Sequence, residues 1–163
     1  MKKYILISAI LITAIFNLSV QSQELTFDES IKKAGSENKK VIVDIYTDWC
    51  GWCKKMDRDV YESKPVKKIT NKSFVIIKLD AEGSNKINYN GIEYTETGLA
   101  LYFEAQGYPT TVFLEPDGSV IEYKYNNYAM RNIPGYMRAN EFKKVLKFIR
   151  DEKYKDTDLS KIF

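Results

Sequence analysis

Histidine does not occur in these 163 residues, and cysteine occurs only twice. The first absence excludes Ser-His-Asp and Cys-His catalysis, together with histidine metal sites. The scarcity of cysteine excludes a disulfide scaffold, because such a scaffold spaces its cysteines widely to close long loops. Cys50 and Cys53 are separated by two residues, so a bond between them staples almost nothing. Chemistry explains the pair better. Charge of one sign is not in large excess either: Lys and Arg number 25 against 22 Asp and Glu, a net +3. Removing residues 1–22 takes away Lys2 and Lys3 and no acid, which leaves about +1 and no support for a nucleic-acid-binding surface. No apolar run reaches the ~20 residues that span a bilayer. No internal repeat or linker divides the chain. With 44% hydrophobic and 29% charged residues, the composition is that of one globular domain.

The N-terminus differs from the rest. Lys2 and Lys3 precede an apolar run from Tyr4 to Phe16, interrupted by Ser8 and Thr13, and small and polar residues follow from Asn17 to Gln23. That order is the pattern of a secretory signal peptide. Cleavage after Ser22 is expected, and an uncleaved membrane anchor is the alternative. No cysteine lies nearby to carry a lipid. The expected organisation is a signal peptide over 1–22, a folded domain over 23–152 and a charged, loosely held tail over 153–163. The protein is expected to be periplasmic or secreted, in a bacterial envelope, with no stable membrane insertion after cleavage.

Thr26-Phe-Asp-Glu29 has the capping-box pattern, and Phe27, Ile31 and Ala34 follow at helical spacing, which predicts a helix over 27–37. Residues 41–46 are β-branched and apolar around one acid and read as a buried central strand. Residues 51–61 favour helix, Pro65 interrupts or restarts it, and 74–79 form a second buried strand. Asn90-Gly91 between Tyr89 and Ile92 is a strong hairpin signal. A helix over 97–106, a strand over 110–114, a turn at 115–118 and a return strand over 120–125 are expected next. A loop then runs to Gly135, and Phe142, Val145, Leu146 and Ile149 mark the buried stripe of a last helix. This order implies an α/β fold, with a central mixed sheet flanked by helices on both faces.

Trp49-Cys50-Gly51-Trp52-Cys53-Lys54 falls where a buried strand gives way to a helix. Free backbone N–H groups and the positive end of the helix dipole stabilise an anion at Cys50, so this sulfur is expected to attack disulfides as a thiolate. Cys53 follows one helical turn on, placed to resolve the mixed disulfide. Zinc would need two more ligands of a kind the chain lacks, and haem attachment would need histidine where Lys54 stands.

The segment Val43-Asp44-Ile-Tyr-Thr-Asp48-Trp49-Cys50-Gly51-Trp52-Cys53-Lys54 resembles the active-site segment of the thioredoxin superfamily. Lys78-Leu79, Gly107-Tyr108-Pro109-Thr110, Asp117-Gly118 and Gly135 match it further in the expected order. Among its members the chain is similar to exported thioredoxin-like proteins such as the C-terminal domain of DsbD. The resemblance implies a thioredoxin-like fold in which Asp44 is the buried acid beneath the second cysteine and Lys78 its neighbour. It makes Pro109 a cis-proline facing the disulfide, with the Tyr108 backbone offered to substrate. Trp49 and Trp52 would form an apolar collar around an exposed Cys50 sulfur, the alternative for each being core packing.

Two stretches, 81–96 and 125–134, stand as insertions against the family pattern. Tyr125, Tyr128, Met130 and the nearby Tyr136 either flank a peptide groove or decorate a loop. No histidine lies between the cysteines to make the disulfide more oxidising. The expected function is disulfide exchange with protein substrates as a reductase, with no bound cofactor and a membrane or soluble thiol protein as electron donor. A disulfide oxidase or isomerase of the same fold, or a non-catalytic chaperone or assembly module, remains the alternative.

Overall fold

In the computed structural model, residues 25–163 are described; the expected signal peptide over 1–22 lies outside them. Helix α1 (Phe27–Glu37) forms as its sequence predicts. Thr26 caps it by accepting from the Glu29 amide while Glu29 reaches back, and Asn38 ends it in the left-handed conformation. Strand β1 (Lys40–Tyr46) follows, then α2 (Gly51–Met56), which widens into a π-helical turn over Asp57–Tyr61. Pro65 opens α3 (Lys64–Ser73), where its missing N–H costs nothing. Strand β2 (Phe74–Asp80) leads to the hairpin β3 (Lys86–Tyr89) and β4 (Ile92–Thr95), turned by Asn90 and Gly91 at φ 53° and 80°.

Helix α4 covers Glu96–Tyr102, shorter than the expected 97–106. Glu104 turns left-handed at φ 59° and the Ala105 amide closes back on the Ala100 carbonyl, so the chain leaves the helix before Gly107. Strand β5 (Thr110–Leu114) is where the sequence places it. The expected return strand over 120–125 is not. Val120 makes a single bridge to Leu114, and the chain then departs into a separate hairpin, β6 (Tyr123–Tyr125) and β7 (Tyr128–Met130). The fourth strand of the main sheet is β8 (Asn132–Pro134), inside the stretch expected to be loop. Helix α5 (Ala139–Arg150) completes the domain.

The sheet runs β2-β1-β5-β8, with β1 and β2 parallel and β5 and β8 antiparallel to their neighbours. Side chains alternate between its faces. Val41, Val43, Ile45, Ile77, Leu79, Val112 and Leu114 meet α1 and α4 on one face, whereas Ile42, Phe74 and Phe113 meet the α2, α3 and α5 side. Lys40 and Asp44 share parity with Ile42 and therefore point to the second face, Lys40 toward the C-terminal stretch and Asp44 toward the side of the cysteine-bearing helix.

The C-terminal stretch is not loosely held. Leu159 is buried in the α3–α5 core cluster, and Asp158 accepts from the amides of Asn126 and Asn127 at 3.0 and 2.7 Å. Both asparagines have positive φ in the β6–β7 turn, so the tail caps a turn whose amides would otherwise be unpaired. Among the described residues, no helix is long and apolar enough to cross a membrane.

Candidate active site

Cys50 is the N-cap of α2, and its Sγ accepts the Cys53 amide at 3.0 Å. The two sulfurs form a disulfide across Cα atoms 5.3 Å apart. A residue at this position has its side chain beside amides that find no carbonyl within the helix. The same amide would stabilise a thiolate on Cys50 once the disulfide opens. One correction concerns access. Cys50 was expected to be exposed, but in the disulfide form it is only 4% accessible and Cys53 is 3%.

The two tryptophans beside the cysteines lie at the surface. Trp49 is 68% and Trp52 59% exposed, so neither is core. Trp49 packs edge-on against Tyr108, with centroids 6.2 Å apart, and its indole N–H donates to both Glu82 carboxylate oxygens at 3.0 Å. Trp52 packs on Tyr136 at 5.3 Å, and Lys55 lies over the other ring's cloud at 5.9 Å. The Tyr108–Pro109 bond is cis, and the Pro109 carbonyl accepts the Gly135 amide at 2.7 Å. Tyr108, Pro109 and Tyr136 thus come to one neighbourhood from segments far apart in sequence. Tyr128 instead stands exposed on its hairpin, and Tyr125 lines a small apolar cavity with Leu159 and Phe163.

A row of polar side chains crosses three strands of the sheet. Register places Lys78 and Thr111 on either side of Asp44, all on the face that α2 covers. Asp44 is 2% exposed; its Oδ2 accepts from Lys78 Nζ at 2.5 Å, and its Oδ1 has no partner. Burial pushes the Asp44 carboxyl above the usual carboxylate range, and the Lys78 charge opposes that only in part. Burial also pulls on Lys78, but the carboxylates around it hold its ammonium above the ordinary lysine value. The Lys78 ammonium further lies 4.9 Å from the Tyr46 ring centre.

Sequence reasoning did not find Asp57 or Glu82. Asp57 binds Lys78 at 2.7 Å from one turn beyond Cys53; its i+4 spacing was the available signal. Glu82 belongs to the 81–96 insertion, and nothing local marks it as a tryptophan acceptor.

A sheet of this topology, with a Cys-x-x-Cys disulfide at a helix start, a buried acid on its central strand and a cis-proline just before the next, defines a thioredoxin fold of thiol–disulfide oxidoreductase type. The family model described as "Thioredox_DsbH: Protein of unknown function, DUF255" matches residues 19–161, and the chain belongs to that family. The structure of a thioredoxin-fold protein from Helicobacter pylori is similar at TM-score 0.63 and 24% identity, over 76% of this chain and 79% of that one. A putative disulphide-isomerase from Bacteroides thetaiotaomicron is 30% identical at TM-score 0.57, over 77% and 88% of the two chains. The thiol:disulfide interchange protein DsbD of Colwellia psychrerythraea is 26% identical over 122 residues, 75% of this chain and 18% of DsbD. The chain spans only 12–18% of the length of the first curated relatives it matches.

Proposed function

We propose that this protein is an exported dithiol–disulfide exchanger acting on protein disulfides, working as a reductase in a bacterial periplasm or outside the cell. The observation that carries the reading is the Cys50 sulfur at the helix N-cap, accepting the Cys53 amide. In this reading residues 1–22 are removed on export. Cys50 is the nucleophile and Cys53 the resolving thiol; Asp44, steadied by Lys78, takes the Cys53 proton. Trp49, Trp52, Tyr108 and Pro109 form the surface on which an extended substrate lies. Electrons arrive from another thiol protein, membrane-bound or soluble, and the exchange uses no bound cofactor.

Equilibration of the Cys50–Cys53 couple with glutathione tests the direction. A potential nearer the thioredoxin value of about −270 mV than the DsbA value of about −120 mV is expected, because no histidine lies between the cysteines. A value near the DsbA end overturns the reductase assignment. An isomerase is the second reading, favoured by the 30% identity to the disulphide-isomerase-like protein of Bacteroides thetaiotaomicron. Refolding of a scrambled disulfide substrate without added reductant separates the two.

A further inference from the structure

The Asp44–Lys78 pair has a third member. Asp57 follows Cys53 by four residues, so the two share a helix face, and its amide donates to the Cys53 carbonyl. Its Oδ1 accepts from Lys78 Nζ at 2.7 Å, while the same nitrogen reaches Asp44 Oδ2 at 2.5 Å. One cation therefore serves two carboxylates in opposite surroundings. The Asp44 side chain is 3% exposed and that of Asp57 45%. No strand or helix rule demands this sharing, since Asp57 faces water and would be solvated without Lys78.

We propose that Asp57 is a positioning residue for disulfide exchange: it shares the Lys78 ammonium with Asp44 and adds its own negative charge nearby, and so makes the buried carboxylate a better acceptor of the Cys53 proton. The proposal rests on the assignment of Cys53 as resolving thiol and Asp44 as its base. In that step the Cys53 Sγ–H proton passes to Asp44, where Oδ1 is the oxygen without a partner. The Cys53 thiolate attacks Cys50 Sγ, the Cys50–Cys53 bond forms and the Cys50–substrate bond breaks. The substrate sulfur leaves with the electron pair and is protonated from water, so two electrons pass from the dithiol to the substrate.

The surroundings of Asp44 set how well it can do this. Lys78 faces it from β2, Asp57 and Tyr61 from the helix, and the Thr111 hydroxyl from β5. The Tyr61 hydroxyl is held well above its ordinary value, by burial first and then by the Asp44 charge, so it stays protonated at neutral pH. Lys78 and Asp57 are then the charges that compete over Asp44. A lysine given wholly to Asp44 would hold it ionised and make it a weak base. Sharing the lysine avoids that.

The test titrates the Asp44 carboxyl by 13C NMR in the full chain and in Asp57→Asn, Asp57→Glu and Lys78→Met. The same variants are followed through the pH profile of mixed-disulfide resolution. Asp57→Asn is expected to lower the Asp44 midpoint by about one pH unit. The acid limb of resolution should follow it, and the plateau should fall several-fold as the base weakens, while the first attack by Cys50 is unchanged. Lys78→Met should move the midpoint upward, and Asp57→Glu should restore it. Exchange at the wild-type rate with an unmoved midpoint in Asp57→Asn overturns the proposal alone. Shifts of the same sign in Asp57→Asn and Lys78→Met do so as well. A wild type that performs no exchange overturns the functional reading and this proposal with it.

Discussion

Strand β1 carries two buried charges on one face, Lys40 and Asp44, and the molecule treats them in opposite ways. At the outer end Lys40 Nζ donates to Glu115 at 2.6 Å, to the Tyr154 hydroxyl at 3.1 Å and to Glu152 at 3.4 Å. All three of its protons have acceptors, and Tyr154 in turn donates to Glu115. At the cysteine end Asp44 has one oxygen engaged and one buried without a partner. A buried polar atom left unpaired costs stability, so its persistence calls for a reason. The closed cluster ties the C-terminal stretch to the sheet. The open one is linked through Lys78 to Asp57 at the end of the helix that carries the disulfide, and in the proposed function its free oxygen is the proton acceptor.

The largest expected effect comes from removing the chemistry at the open end. Cys50→Ser should reduce disulfide exchange to the uncatalysed rate, while Cys53→Ser should accumulate mixed disulfides with substrate, seen by mass spectrometry. Trapping by Cys50→Ser instead would reverse the assigned roles.

The closed end should break differently. Lys40→Met leaves the half-buried Glu115 carboxylate with the Tyr154 hydroxyl but no cation, at a cost of about 3 kcal/mol in urea unfolding. The exchange rate of the folded protein should not change. A loss of exchange there would end the contrast between the two clusters.

Asp44→Asn sharpens the contrast, because stability and activity should move apart. Burial raises the folded-state value of Asp44 above its unfolded one, so the fold favours the protonated acid. This contribution is present below the unfolded carboxylate range and is lost as pH rises through the folded value. Asparagine should therefore stabilise the domain by on the order of 1 kcal/mol at neutral pH, with Lys78 still paired to Asp57. The gain should vanish in acid, below the usual carboxylate range. Resolution of the mixed disulfide should slow by roughly 10²-fold, with the initial attack nearly intact. Equal slowing of both steps would remove Asp44 from the proton's path.

The smallest expected effect concerns the tail that the closed cluster secures. Leu159→Ala empties a site in the α3–α5 core and should cost about 2 kcal/mol without changing the exchange rate. A neutral result would mean that the stretch beyond α5 is held by Lys40 and Asp158 alone.

Several features of this protein were legible in the sequence because they depend on neighbours in the chain. The Thr26–Glu29 capping box, the Asn90-Gly91 turn and the buried strand over 41–46 are local patterns, and each appears where it was read. The Cys-x-x-Cys pair with no other cysteine or histidine pointed to its chemistry for the same reason. The acid at Asp44 and the proline at 109 were placed by resemblance, and the structure buries the one and sets the other in a cis bond. What escaped was decided by partners far away in sequence. Tyr123–Tyr125 has the pattern of a sheet strand, but the turn at Asn126-Asn127 folds it onto Tyr128–Met130, and Asn132–Pro134 takes the sheet edge instead. Leu159 reads as one apolar residue in a charged tail until α3 and α5 meet beside it. Asp57 and Glu82 read as solvated charges, since a side chain's local sequence does not say which oppositely charged group or indole the fold will bring to it. Local pattern thus settled which atoms could react. Only the register of β1 with β2 and the packing of α2 and its π-helical turn beside them decided which charged groups meet at Lys78, because that depends on distances of a few ångströms between residues 21 and 34 positions apart.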